Sequence, residues 1–197
     1  IPYISVEGYP EAESVPSVLM DYGRSIAMAL DYLQSRPVPP PIYLEVYTSA
    51  SYNPNWGDRK RREAYEAWML ERGYAPSVIV KQVDVSEGIS DWWIEWLRSL
   101  PLPATILVNW AKGARCLYRA AFRLGLRIGS DLFVMAADNT EQANEFMTPA
   151  LTSVEVPYAQ MGEIAAALLI DAAEGRLSLH GAGKRYVEPK LMVRESV

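Results

Sequence analysis

The sequence predicts an α/β fold built on parallel sheets. Three observations carry that expectation. Strand-like and helix-like segments alternate along most of the chain, as they do when crossover helices join parallel strands. Two of the strand-like segments, ATILV at 104–108 and LFVMA at 132–136, are apolar but for Thr105, as suits strands buried on both faces. Asn109 follows the first closely and Asp138 the second. Polar groups just past the carboxyl ends of buried strands lie where open α/β sheets bind small molecules.

The elements follow in order. Pro2–Val6 reads as a short strand and Ser17–Met20 as another. Tyr22–Gln34 carries Ile26, Ala29, Leu30 and Leu33 at helical spacing. The RPVPPP run stops that helix, and Ile42–Tyr47 is a strand. Residues 48–57 (TSASYNPNWG) form a polar loop. Asp58–Arg72 is a helix with Tyr65, Trp68 and Met69 on one face and Gly73 as its stop. Val78–Lys81 is a strand. Ile89, Trp92, Trp93, Trp96, Leu97 and Leu100 trace a buried helix face. The strand Ala104–Val108 leads to a helix over Lys112–Leu124, ended by Gly125. Leu132–Ala136 is the next strand. Pro157 opens a helix with Met161, Ile164, Ala165, Leu168, Leu169 and Ala172 on its apolar face. Tyr186–Val193 is the last strand.

Composition narrows the function. The chain has 197 residues, half of them apolar and 22% charged, which suits a packed core and excludes disorder. Its net charge of −5 argues against a nucleic-acid-binding surface, which needs clustered Lys and Arg. A single cysteine, Cys116, rules out an internal disulfide and a multi-cysteine metal site, and fits a cytoplasmic location. It lies in a helix pattern and reads as core. His180, in the LHGAGK loop, has no second histidine to form a metal site or a triad. No apolar run is long enough to span a membrane, and no secretory leader opens the chain. The chain begins directly on a strand-like segment, so an upstream part is expected to be missing.

Candidate binding residues gather at the strand ends. An amide and a carboxylate, Asn109 and Asp138, are the usual tools for gripping hydroxyl-rich ligands; the plainer reading is that both cap helices. The DRKRRE run places cations at a helix start, against the helix dipole. Arg61 is the one expected to turn inward toward a ligand or a carboxylate, the others forming a solvated face. Trp92, Trp93 and Trp96 belong to a helix stripe. Trp56 and Trp110 belong to none, and their rings suit a pocket wall. GAGK at 181–184 lacks the spacing of a phosphate-binding loop. Neither a G-x-S-x-G nor a paired-carboxylate motif is present, so binding is expected rather than catalysis, with no cofactor and no metal.

Here the motifs carry a resemblance. LGLRIGSDLFVMAADN, FMTPALTSVEVPYAQMGEIAAALL and EPKLMVRES resemble the effector-binding core of the LacI/GalR family of bacterial transcription regulators over roughly residues 100–197. Residues 1–100 match more loosely, through IPYISVEG and the R-x-x-A-Y at Arg61. The resemblance implies a periplasmic-binding-protein type I-like fold with two Rossmann-like parallel-sheet subdomains, the first incomplete. It implies residues 1–20 with 154–184 in one subdomain and 21–153 with 185–197 in the other, a small-molecule effector, most simply a sugar or sugar derivative, in the cleft between them, and a DNA-binding domain absent from the chain. Glu7, Arg61, Asn109, Asp138 and Tyr158 fall at family contact positions. Trp110 replaces an expected Asp, and Ala137 an expected aromatic. Phe146 and Met147, read as exposed, fall on the family's homodimer surface. DWWIEWLRSLPLPATILV also resembles xylose-type regulators, in which an AraC-type DNA-binding domain follows this one. An extracytoplasmic sugar-binding protein of the same fold is the alternative, and an α/β enzyme a third.

Overall fold

The computed structural model describes residues 2–8, 11–49, 51–83, 90–139, 142–179 and 183–197. His180 and Ile89 lie outside the described residues. The chain forms two compact units. One comprises residues 1–22 and 156–190, the other 23–155 and 191–197.

The smaller unit holds β1 (Ser5–Val6), β2 (Ser17–Met20), α5 (Tyr158–Ala173) and β8 (Lys184–Val187). Its strands are parallel, in the order β1-β2-β8. β2 is the buried centre, and α5 packs on β1 and β2. Lys184 pins the turn before β2, its ammonium donating to the carbonyls of Ala12 (2.7 Å) and Val15 (2.8 Å).

The larger unit follows α1 (Tyr22–Gln34) with β3 (Ile42–Tyr47), α2 (Trp56–Glu71), β4 (Val78–Gln82), α3 (Asp91–Ser99), β5 (Ala104–Val108), α4 (Ala111–Leu124), β6 (Leu132–Ala136) and β7 (Thr152–Glu155). β9 (Lys190–Met192) completes a six-stranded sheet ordered β4-β3-β5-β6-β7-β9. β4, β3, β5, β6 and β7 pair in parallel. Side chains alternate between two cores, as strand geometry requires. Leu44, Val46, Ile106, Val108, Leu132, Val134 and Ala136 pack with α3 and α4. Tyr43, Leu107, Met135 and Ala137 pack with α1 and α2. Burial on both faces explains the apolar strand sequences.

The order in which parallel strands are added reverses across β3. The connection through α2 leads to β4 on one side of it, and that through α3 leads to β5 on the other. α2 and α4 therefore cover opposite faces, and a crevice opens at the carboxyl ends of β3 and β5.

Three local expectations are corrected. The strand predicted over Tyr186–Val193 is two strands in different sheets; Pro189, without an N–H, sits between them, where a ladder cannot continue. The first strand is shorter than Pro2–Val6. α2 begins two residues earlier than predicted, because Asn55 caps it: its side chain accepts from the Asp58 N–H at 2.9 Å. Trp56 thus opens a helix and does not belong to the loop.

Candidate functional site

Three elements of the larger unit, β5, α2 and β6, deliver polar side chains to its carboxyl edge. Asn109, directly after β5, is fully buried. Its Oδ1 accepts from the Val46 N–H at 2.8 Å, and its Nδ2 donates to the Val46 carbonyl at 3.1 Å. The amide thereby extends the β3–β5 ladder by one rung made from a side chain. The same Nδ2 lies 3.4 Å from Asp58 Oδ1.

Asp58, in the first turn of α2, is the hub. Its buried carboxylate takes Asn109, the Asn55 backbone N–H and the Trp110 side chain as hydrogen-bond donors. Arg61 Nη1 stands 3.6 Å from Asp58 Oδ1, with both side chains buried. Burial pushes the Asp58 carboxyl up from its ordinary range, while Arg61 and these donors pull it down. Arg61 is turned inward as its place in the DRKRRE run suggested, and its Nη2 also donates to the Ala137 carbonyl at 3.3 Å. Ala137 thus supplies backbone where the family pattern has an aromatic ring.

Asp138, after β6, is 7% exposed. Its Oδ1 accepts from the Ala111 N–H at 2.5 Å. It therefore caps α4, the helix preceding its own strand, and ties the ends of β5 and β6 together. Trp110 is half-buried against the α3–α4 core, and Trp56 is half-buried at the head of α2. Asp58, Arg61, Asn109, Trp110 and Asp138 thus meet on one sheet edge.

Glu7 and Tyr158 belong to the smaller unit. Glu7 adopts a left-handed backbone with φ 57°. Its carboxylate accepts from the Met20 N–H at 2.7 Å and from the Tyr22 hydroxyl in a short hydrogen bond. Tyr158 heads α5 and is half exposed.

Asp58 and Glu45 were missed as site residues. Asp58 was legible as the third residue after Asn55, a capping pattern with a carboxylate at its end. Glu45 was legible as the one acid in the strand IYLEVY. It is buried, accepts from the Tyr52 hydroxyl at 2.6 Å, and lies 3.4 Å from Arg62 Nε. Arg62 in turn donates to the Tyr52 oxygen at 3.0 Å, so the pair latches the 48–55 loop to β3 and α2. Burial raises the Glu45 carboxyl; burial and then Glu45 push the Tyr52 hydroxyl up to about 12.

Phe146, the last residue of a 3-10 turn over Gln142–Phe146, is 83% exposed. Met147, expected to be exposed beside it, is instead partly buried against the α3–α4 core, because an unbranched side chain one residue on turns inward to fill that gap. Among the described residues no group of three His, Cys, Asp or Glu is placed to hold a metal ion, and no helix is long and apolar enough to cross a membrane.

Two parallel α/β units, with buried polar groups at the carboxyl edge of the larger sheet, define a ligand-binding domain of the periplasmic-binding-protein kind. The chain belongs to the periplasmic binding protein-like domain family, whose model matches residues 43–197, and its effector-binding domain is of the LacI type. It is 39% identical over 89 residues to the HTH-type transcriptional repressor PurR of Serratia proteamaculans (strain 568). That alignment covers 44% of this chain and 24% of the repressor. A structure from Rhizobium etli assigned to the LacI family of transcriptional regulators superposes with a TM-score of 0.82 at 25% identity, covering 100% of this chain and 70% of the other. The LacI family transcriptional regulator of Arthrobacter sp. FB24, complexed with lactose, superposes with a TM-score of 0.79 at 21% identity, covering 99% and 71%.

Proposed function

We propose that this chain is the effector-sensing domain of a transcription regulator. In this reading it binds a hydroxyl-rich small molecule, most simply a sugar, at the carboxyl edge of the larger sheet. The observation that carries the proposal is the convergence of Asp58, Arg61, Asn109 and Asp138 at the switch point of that sheet, all buried and bonded to one another or to strand ends. Groups fixed in this way are preorganised for a ligand. The lactose complex of a protein with this fold supports a sugar as the ligand class. Trp56 and Trp110 offer ring faces beside the polar cluster. Glu7 and Tyr158 of the smaller unit are assigned to ligand contact by the resemblance alone.

Ligand binding is read as a shift between conformations of the domain. Contact with operator DNA is assigned to a separate helix-turn-helix domain, such as the matched repressors are named for, because residues 1–197 carry a net charge of −5. The extracytoplasmic solute-binding alternative is less well supported, since the matched relatives are repressors. A cytoplasmic location follows from the regulator reading.

Calorimetric titration with lactose, ribose and xylose tests the site. Asp138→Ala is expected to weaken binding of the sugar that titrates by about ten- to a hundredfold, the weight of one hydrogen bond to a charged group. Unchanged affinity in Asp138→Ala would remove this edge as the site.

A second copy of the chain is proposed as partner. Phe122 is 86% exposed on α4, and with Tyr118, Leu126 and Pro149 it lines an open groove; Phe146 is 83% exposed. Exposed aromatic patches of this kind mark association surfaces. Phe122→Asp with Phe146→Asp is expected to halve the mass measured by light scattering. A wild-type mass equal to one chain would end the proposal.

A further inference from the structure

We propose that Asp58 sets the charge class of the effector. Its carboxylate keeps Arg61 neutralised, so the edge takes an uncharged polyol and turns away phosphorylated or carboxylated molecules. The inference rests on reading this edge as the effector site.

A buried arginine is ordinarily an anion receptor, because its planar fork matches carboxylate and phosphate. Here two of its nitrogens already have partners. Nη1 faces Asp58 Oδ1 at 3.6 Å, and Nη2 donates to the Ala137 carbonyl at 3.3 Å. An incoming phosphate would have to displace a carboxylate that Asn109, Trp110 and the Asn55 backbone hold in place. All of these partners donate, so with Arg61 they favour the ionised form of Asp58 against the burial that raises its carboxyl. The buried ionisable side chains at the edge are then Glu45, Asp58, Arg61 and Asp138, one guanidinium against three carboxyls. An anion entering there would add a like charge in a site with little water to screen it.

The other cations of the DRKRRE run do not alter this balance. Arg59 donates to the Pro54 carbonyl, Lys60 pairs with Glu63, and Arg62 pairs with Glu45 and Glu66. A neutral hydroxyl ligand avoids the repulsion, since its O–H groups can donate to the carboxylates of Asp58 and Asp138. Asp58 is thus a specificity-determining residue that works by repelling the wrong ligand class.

The test uses inorganic phosphate and sulfate as probes, at constant ionic strength, on the full chain. Wild type is expected to show no saturable binding of either. Asp58→Asn is expected to gain phosphate affinity by at least about tenfold, the weight of a charge-assisted hydrogen bond. Arg61→Met added to Asp58→Asn should abolish the gain. Asp58→Ser is the second variant if Asp58→Asn does not fold. Saturable phosphate binding by wild type that is lost in Arg61→Met overturns the proposal without any Asp58 variant. So does an Asp58 variant, folded by circular dichroism, that binds phosphate no better than wild type. The two readings fail differently. If sugar affinity is unchanged in Asp138→Ala, the edge is not the effector site, whatever phosphate does. If Asp138→Ala loses the sugar and the Asp58 variants gain no phosphate, only the charge assignment is wrong.

Discussion

Arg61→Met is expected to destabilise the chain by about 3–5 kcal/mol, the usual result of removing one partner of a buried ion pair. The methionine fills the space of the arginine stem but leaves Asp58 buried without its cation. The Ala137 carbonyl loses a donor as well. Urea unfolding measures the loss. Adding Asp58→Asn should recover most of it, because the stranded charge is then gone; the coupling between the two sites appears as non-additivity. The pH dependence has a definite sign. Burial already raises the Asp58 carboxyl, and Arg61 opposes that rise. Without Arg61 the folded-state value climbs further above the unfolded one. A carboxyl raised in this direction favours folding below its unfolded pKa and loses that advantage as pH rises through its folded pKa. The deficit of Arg61→Met should therefore be small in acid and grow as pH rises from the ordinary carboxylate range toward neutrality. A deficit independent of pH would rule out the stranded carboxylate as its cause.

Gly113→Val is the second large effect, expected at about 3 kcal/mol or more, from overpacking at a site with no room to give. Gly113 lies in the first turn of α4, close against Val46 of β3 and Val108 of β5. A Cβ there would stand 2.5 Å from Val108 Cγ2 and 2.9 Å from Val46 Cγ1. Those methyls belong to β-branched side chains in a packed core, which cannot swing aside. Helix propensity favours replacing glycine, by about 1 kcal/mol for alanine, too little to offset the clash. The consequence reaches the candidate site. Pushing α4 outward pulls the Ala111 N–H from Asp138 and shifts Asn109, so the proposed sugar affinity should fall together with stability. Gly162→Ala on α5 is the control. Nothing lies within 4 Å of a Cβ at 162, and that variant should hold or slightly gain stability. Equal unfolding midpoints for Gly113→Val and wild type would show that α4 is free to move.

The residues at the sheet edge show how much of the site was legible. Asn109 and Asp138 were found because each follows an apolar run, and position after a buried strand is a one-dimensional signal. Arg61 was found because a cation at a helix start breaks a local rule. Their partners were not found. Asn109 spends its amide on the Val46 backbone, 63 residues away in sequence, and Arg61 meets the Ala137 carbonyl 76 residues away. Asp58 looked like an ordinary first-turn acid, the most common thing an aspartate does in a helix. Only the approach of Asn109 and Trp110 makes it the hub.

The sequence by itself determined the alternation of strands and helices, which faces are buried, and the glycine and proline stops that end helices. These depend on periodicity and on neighbours within a few residues, and water selects them the same way wherever the segment lies. Tertiary structure alone decided which sheets β8 and β9 join, that Met147 turns inward while Phe146 stays out, and that Asp58 faces Arg61 in a buried pair. Each of those depends on which distant segment arrives alongside, because strand order and helix approach, not local pattern, fix what a buried charge meets.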